Sequence, residues 1–180
     1  GVTFAAKRVK TENARTYVKL DQVYNGVPVF GAQAVIQMKP DGAIVSILSD
    51  IMRDAPRVYS GALALTPTLN TVEAKVAASA VLEEEHPGDS FETNGPELHL
   101  YMPSVVGAVG AARLVYIVEV RSLGPGFPSD ERILVDAHTG EPALRIPMVL
   151  DAKNRNIFDA ENIPFVDPGI LKRSEGQGPA

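Results

Sequence analysis

The stretch YNGVPVFG, residues 24–31, decides how the first part of this chain folds. Asn25 and Gly26 both tolerate a positive φ angle, which a tight hairpin turn requires, so the runs on either side of them are expected to pair as antiparallel strands. Residues 32–39 alternate between apolar and polar side chains, as a half-buried strand does. Pro40-Asp41-Gly42 adds a second turn signal ahead of residues 43–49. The sequence therefore predicts an antiparallel meander over residues 17–49 with one half-buried face.

Residues 66–85 form the clearest predicted helix. Asn70 is expected to be its N-cap, and Glu73 completes a capping-box pair that satisfies the free amides of the first turn. His86-Pro87-Gly88 ends the helical pattern. The apolar stripe expected to face a sheet consists of Val72, Val76 and Ala80, flanked by Ala77 and Val81.

Four strand candidates follow the helix, at residues 97–102, 113–121, 132–136 and 142–150. Loop-like sequence separates the first three, and a His138-Thr139-Gly140 turn precedes the last. A run of strands after one helix favours an antiparallel sheet covered by that helix. The predicted fold class is therefore α+β, in two small modules: an antiparallel β-meander, then an antiparallel sheet packed by one main helix.

Composition and charge exclude several classes of function. The chain is 45% hydrophobic and 22% charged, which is ordinary for a globular protein, and it contains no cysteine for disulfide or thiolate chemistry. The net charge is −5, with +3 in residues 1–60, −7 in residues 61–150 and −1 in residues 151–180. This acidic middle argues against a nucleic-acid partner, which requires clustered positive charge. No apolar run approaches the ~20 residues that span a bilayer, so no membrane partner is predicted.

No active site is predicted within the chain. Zinc peptidases of one large class need a helical H-E-x-x-H, and none of the three histidines, His86, His99 and His138, begins that motif. Asp136 and His138 have metal-ligand spacing, but a hairpin turn with Asp136 bonded to the backbone and His138 in solvent explains them better. The acidic run of residues 83–85 beside His86 is either a cation site or, as favoured here, a solvated helix end. No nucleophile elbow such as G-x-S-x-G occurs.

Several segments, in order along the chain, resemble a known precursor. Residues 24–31 with Pro40-Asp41-Gly42 resemble the fungalysin/thermolysin propeptide domain. Leu65-Thr66-Pro67 and residues 135–141 resemble a PepSY domain, the other module of such pro-regions. Residues 156–162, 167–171 and 173–176 resemble the opening of a mature thermolysin-like catalytic domain. The expected organisation is a propeptide module at 1–56, a PepSY-like module of cystatin-like build at 57–150, and the start of a catalytic domain at 151–180 that does not fold by itself.

The resemblance implies a function. Such a chain would be the propeptide of a secreted thermolysin-like zinc metalloendopeptidase, acting as intramolecular chaperone and cleft-blocking inhibitor until autoproteolytic removal. Its partner would be the catalytic domain of its own precursor. Zinc and calcium would belong to that domain, with no cofactor, metal site or catalytic residue in this chain.

Two sets of site residues follow from the same resemblance. The peptidase cleft is expected to bind or cleave a segment within residues 141–158 consisting of Leu144, Arg145, Ile146, Pro147, Met148, Val149 and Leu150. These residues also fit a last strand of the sheet, and both interpretations are compatible. Contact with the catalytic domain is a second hypothesis for Tyr24, Asn25, Gly26 and Pro28, although turn geometry alone explains them.

Two other functions stay open on the sequence. A freestanding cystatin-like protease inhibitor or binding module would share the helix-on-sheet build, but would have no use for residues 156–180. A catalytic protein is disfavoured because H-E-x-x-H is missing.

Overall fold

The computed structural model describes residues 1–53, 63–123 and 129–148 in full, together with the backbone of strands at 156–159 and 170–174. Residues 1–148 form one compact unit and residues 149–180 a second. The predicted module boundary at residue 56 falls outside the described residues.

Four antiparallel strands build the predicted meander: β1 (Val2–Glu12), β2 (Arg15–Tyr24), β3 (Val27–Met38) and β4 (Ile44–Asp50). Both predicted turns are confirmed: Asn25 and Gly26 have φ angles of 46° and 87°, and Gly42 has a φ of 83°. Strand β1 was missed by the sequence analysis. Every residue of β1 is exposed, so burial imposed no alternating pattern on its sequence.

A second set of antiparallel strands follows the helix in chain order: β5 (Phe91–Tyr101), β6 (Arg113–Ser122), β7 (Asp130–Asp136) and β8 (Pro142–Pro147). Their cores agree with the four predicted strands, although β5 begins six residues earlier than residue 97. A parallel contact between Val29 of β3 and Leu100 of β5 joins the two sets into one sheet. The α+β fold class is confirmed, with eight strands and one α-helix among the described residues of this unit.

Helix α1 (Thr71–Glu85) begins at the predicted cap. The Asn70 side chain accepts hydrogen bonds from the amides of Val72 and Glu73, and the Glu73 carboxylate accepts one from the amide of Asn70 at 2.8 Å. These reciprocal bonds form the predicted capping box.

The predicted apolar stripe of α1 is wrong for Val72, Val76 and Ala80, whereas the flanking residues Ala77 and Val81 are partly buried and pack against the core. Val72 and Val76 are 68% and 63% exposed, and Ala80 is also exposed. The residues that face the sheet are instead Ala74, Ala78 and Leu82, one helical turn apart and fully buried. Two alanines bring the helix backbone close to the sheet, and Leu82 then fills the space between them and the strands.

The main core lies between this helix face and the sheet. Its fully buried strand residues are Leu114, Val118, Val120, Ile133 and Val135. A second cluster occupies the opposite face of the same strands, around Tyr101, Val115 and Leu134. Strands β6 and β7 thus have buried apolar residues on both faces, which gives parts of them the near-continuous hydrophobic sequence of fully buried strands.

Strands β9 (Asn156–Asp159) and β10 (Ile170–Ser174) pair antiparallel in the second unit. The prediction that residues 151–180 do not fold by themselves stays a prediction. Among the described residues, no helix has both the length and the hydropathy needed to cross a membrane.

Candidate functional site

Strand β8 contains most of the segment predicted to enter a peptidase cleft. It pairs with β7 through the register Arg132–Ile146, Ile133–Arg145 and Leu134–Leu144, and forms one end of the strand order. Leu144 and Ile146 are half buried and pack against the cluster on the sheet face away from α1. The interpretation of these residues as the last strand therefore holds for residues 142–147.

Arg145 points to the opposite side of β8 and joins three elements. Its guanidinium donates to both carboxylate oxygens of Glu131 on β7, at 2.9 Å each. It also donates to both oxygens of Glu85 in the last turn of α1, with Nη2 at 2.9 Å from Oε2. These hydrogen bonds hold the pKa of Glu85 below its ordinary value and raise the pKa of Arg145. The solvated interpretation of the acidic helix end is thus wrong for Glu85, which has a partner 60 residues away.

Strand β8 ends at Pro147, two residues after Arg145. The amide of Met148 donates to the carbonyl of Asp130 at 2.7 Å, and its side chain is exposed. Val149 and Leu150 lie outside the described residues. The described part of the predicted cleft segment therefore ends at Met148, and the assignment of the segment as a cleft or cleavage site stays a prediction.

The second predicted site, Tyr24 to Pro28, is the turn between β2 and β3. The amide of Asn25 donates to the carbonyl of Gly1 at 2.9 Å, which ties the turn to the start of β1. Tyr24 is half buried against a cluster that contains Val29 and Leu100, where the two sets of strands meet. Local geometry accounts for these residues, and their contact with a partner stays a prediction.

Changing Gly26 to Val is expected to lower the free energy of unfolding by more than about 1 kcal/mol. The cost arises from the backbone alone, because the φ of 87° disfavours a β-branched residue while an added Cβ would meet no atom within 4 Å. Gly26→Asn is the control, since asparagine tolerates a positive φ. Urea denaturation of both variants measures the difference, and equal stability of Gly26→Val and wild type would contradict the turn assignment.

A polar groove of about 530 Å³ lies beside this turn, on the sheet face away from α1. Two ion pairs line it, Lys7 with Asp21 at 2.9 Å and Arg132 with Glu119 at 2.7 Å. His99 also lines the groove, with Nδ1 at 3.4 Å from the carbonyl of Glu97. Four of its charged side chains thus form two ion pairs, and the groove presents a polar surface.

Burial lowers the pKa of His99 below its ordinary value of 6.5, and the nearby Glu97 carbonyl only partly opposes this. Because the folded state then binds the proton less readily than the unfolded chain, the neutral histidine favours folding and stability falls as the pH drops below 6.5. We expect NMR titration to give His99 a pKa below that value, and His99→Asn to lose this part of the pH dependence. A His99 pKa at or above 6.5 would contradict the expectation.

Asp136 and His138 both form hydrogen bonds within the fold. Asp136 Oδ1 accepts from the amides of His138 and Thr139 at 2.9 and 3.2 Å, as the hairpin interpretation predicted. The solvent-facing orientation predicted for His138 is wrong, because its ring nitrogens lie 3.0 Å from Thr68 Oγ1 and from the carbonyl of Ala64. Within the described ranges, no group of three or more His, Cys, Asp or Glu residues is arranged to hold a metal ion.

The two segments that carry the PepSY resemblance meet at this point. The amides of Thr68 and Leu69 both donate to the carbonyl of Ala137 at 3.0 Å, and the Tyr116 hydroxyl donates to the Leu69 carbonyl at 3.1 Å. The residues before α1 are thus tied to the β7–β8 turn. Sequence analysis singled out both segments but gave no sign of their contact, because some 70 residues separate them.

Comparison with known proteins finds a propeptide motif in this chain and a likeness to two proteases. Residues 3–51, which coincide with the meander β1–β4, match the model of the Fungalysin/Thermolysin Propeptide Motif. The chain is 28% identical over 130 residues to bacillolysin of Brevibacillus brevis, covering 72% of this chain and 24% of that protein. It is 26% identical over 137 residues to hemagglutinin/proteinase of Vibrio cholerae serotype O1, covering 76% of this chain and 21% of that protein.

A solved structure, the Bacillus megaterium YpeB C-terminal domain, aligns with a TM-score of 0.38 at 11% identity, over 82% of this chain and 57% of that one. The chain spans less than a quarter of the length of the curated relatives it matches. The motif and the two relatives confirm the predicted resemblance to the propeptide region of thermolysin-like proteases. The PepSY assignment of residues 57–150 stays a prediction.

Proposed function

We propose that this chain, which carries a fungalysin/thermolysin propeptide motif, is the pro-region of a secreted thermolysin-like zinc metalloendopeptidase precursor. In this role it assists folding of the catalytic domain and blocks the cleft until autoproteolysis removes it. The observation that carries the proposal is the match of residues 3–51 to the propeptide motif, over the same residues that form the meander.

The contacts at the end of β8 support a role in blocking the peptidase cleft. Arg145 fixes the strand to α1 and β7, and the side chain of Met148, just after the strand, is exposed. A segment held at one end and extended can add its backbone to an exposed strand of an enzyme, so that main-chain hydrogen bonds provide affinity. By this proposal, the part of the chain that follows β8 binds in the cleft in this way.

The folding role follows from mass action. A surface that binds the native catalytic domain and not its unfolded forms stabilises the native state. Connection in one chain raises the effective concentration, so modest affinity is sufficient until cleavage occurs. By this proposal the zinc and calcium ions belong to the catalytic domain, since this chain has no H-E-x-x-H.

The test is a titration of the purified chain against the mature peptidase of the same precursor, with papain as the cysteine-protease control. We expect slow, tight inhibition of the zinc peptidase alone, followed by cleavage within residues 141–158. Inhibition of papain alone would favour the cystatin-like inhibitor. A reading frame that stops soon after Ala180 without H-E-x-x-H, or a peptidase that is not inhibited, would contradict the proposal.

A further inference from the structure

One face of the meander carries no charge. Residues that are partners in antiparallel register lie side by side on the same face of a sheet, so the register defines rows that cross all four strands. Three rows on one face, in the order β1, β2, β3, β4, are Ala6–Leu20–Ala34–Ser49, Val9–Val18–Ile36–Ile47 and Thr11–Thr16–Met38–Ile44. We call these twelve residues the apolar face.

The opposite face of the same strands is polar. Its rows alternate with those of the apolar face and contain Arg8–Lys19–Val35–Leu48 and Lys10–Tyr17–Gln37–Ser46. Side-chain hydrogen bonds follow the second row, from Gln37 to the Tyr17 hydroxyl at 3.3 Å and from Ser46 to Gln37 at 3.1 Å. All four strands therefore contribute to the difference between the two faces.

Helix α1 covers the neighbouring strands β5–β8 and leaves much of the apolar face open. At one end Gln22 binds the backbone amide and carbonyl of Met52, at 2.8 and 2.9 Å, so the chain after β4 crosses the face there. Farther along, Val9, Ile44 and Ile47 are 62%, 60% and 56% exposed. Val18 and Ile36, between Val9 and Ile47 in the same row, are half buried, and Ala34 is buried. An apolar surface with exposed residues of this kind marks an interaction site.

The size of the apolar face argues against a second copy as the occupant. Four strands at ~4.8 Å spacing and three rows at ~6.8 Å spacing cover about 400 Å². A specific, stable interface buries ~800 Å² on each partner, so this face alone is about half of what a dimer of free chains needs. A partner held in the same chain needs less area, because the covalent connection supplies the effective concentration.

We infer that the apolar face is the docking surface for the catalytic domain of the precursor, an inference that rests on the function proposed above. The surface it meets must itself be apolar and uncharged, because a charged group buried against these twelve residues would find no partner. The face then lies at the opposite end of the sheet from β8, so the pro-region holds the enzyme at two separate places.

Ile47→Lys tests the inference, with Leu48→Lys as the matched control. The two residues are neighbours on β4, point to opposite faces and are 56% and 72% exposed. Each change adds the same charge to the same strand without disturbing a buried residue. We expect Ile47→Lys to weaken inhibition of the mature peptidase at least about 10-fold, and Leu48→Lys to leave it within about 2-fold of wild type.

A second measurement is independent of any effect on folding. Because the chain has no cysteine, Ile47→Cys and Leu48→Cys can each be labelled at a single position with a polarity-sensitive fluorophore. Adding the mature peptidase is expected to shift the emission of the label at position 47 to shorter wavelength and to leave the label at position 48 unchanged. Shifts at neither position, or only at 48, would overturn the inference.

The outcomes separate this inference from the proposed function. Wild-type chain that inhibits the peptidase, together with Ile47→Lys that inhibits equally well, would overturn the docking face and leave the pro-region proposal standing. Wild-type chain that does not inhibit would remove both. A dimer of the free chain in sedimentation that Ile47→Lys dissociates would overturn the inference in favour of a second copy.

Discussion

Leu82→Ala is expected to lower the free energy of unfolding by about 2–5 kcal/mol. Leu82 is fully buried and is the largest of the buried side chains of α1, in the same core cluster as the strand residues Val118 and Ile133. The other buried residues of this helix, Ala74 and Ala78, are too small to fill the space that its removal leaves. The variant therefore loses burial of apolar surface and also creates a cavity.

Val76→Ala is the matched control on the same helix. Val76 belongs to the stripe that sequence analysis expected to be buried, and it is 63% exposed. Its replacement removes little buried surface and puts a better helix former in its place, so stability is expected to change by less than about 0.5 kcal/mol. Urea denaturation followed by circular dichroism measures both variants. A larger loss in Val76→Ala than in Leu82→Ala would mean that the helix packs by its other face.

Arg145→Met is expected to lower the free energy of unfolding by about 2 kcal/mol, because it removes charge-assisted hydrogen bonds to two carboxylates. Most of this loss comes from Glu131, whose side chain is only 14% exposed and would remain without its cation. Methionine keeps the length and the apolar stem, so the change isolates the guanidinium. The control is Arg132→Met, whose ion pair with the exposed Glu119 contributes at most about 1 kcal/mol.

The hydrogen bonds between Arg145 and Glu85 also predict that the stability of the fold depends on pH. These bonds lower the pKa of Glu85 in the folded state, so this contribution to stability is present above the unfolded pKa of about 4.5 and is lost as the pH falls through the lower folded value. Wild type is therefore expected to lose more stability than Arg145→Met as the pH is lowered below 4.5. If the stability of the two proteins fell equally with pH, the proposed contribution of the bonds between Arg145 and Glu85 would be contradicted.

The sequence correctly predicted the turns and the helix cap, which depend on residues close together in the chain. Asn25-Gly26 and Pro40-Asp41-Gly42 lie at turns with the expected φ angles, and Asn70 with Glu73 forms the capping box. These features depend on residues at most three positions apart, so they are encoded locally.

The features that sequence analysis missed depend on distant neighbours. Strand β1 is fixed by pairing with β2, and all of its residues are exposed, so no buried apolar positions mark it as a strand. The buried face of α1 was misjudged because apolar residues lie on several sides of this helix, so only its packing on the sheet decides which of them are buried.

In the predicted site, too, the local feature was predicted from the sequence and the contacts between distant residues were not. The sequence predicted a strand at residues 142–150, and the structure has β8 at Pro142–Pro147. It could not predict that Arg145 joins this strand to Glu85 and Glu131, because the pairing of charges 60 and 14 residues apart depends on the packing of α1 on the sheet. The apolar face likewise appears only when the register of four strands is known.

The measurement that tests the pro-region account most directly is assisted refolding. The mature peptidase of the same precursor is denatured and then diluted into buffer with and without an equimolar amount of this chain, and its activity is measured after the chain has been digested. The account predicts that the recovered activity rises at least about 10-fold with the chain present, because binding favours the native catalytic domain by mass action. Equal recovery with and without the chain, under conditions in which both proteins are folded at the end, would contradict it.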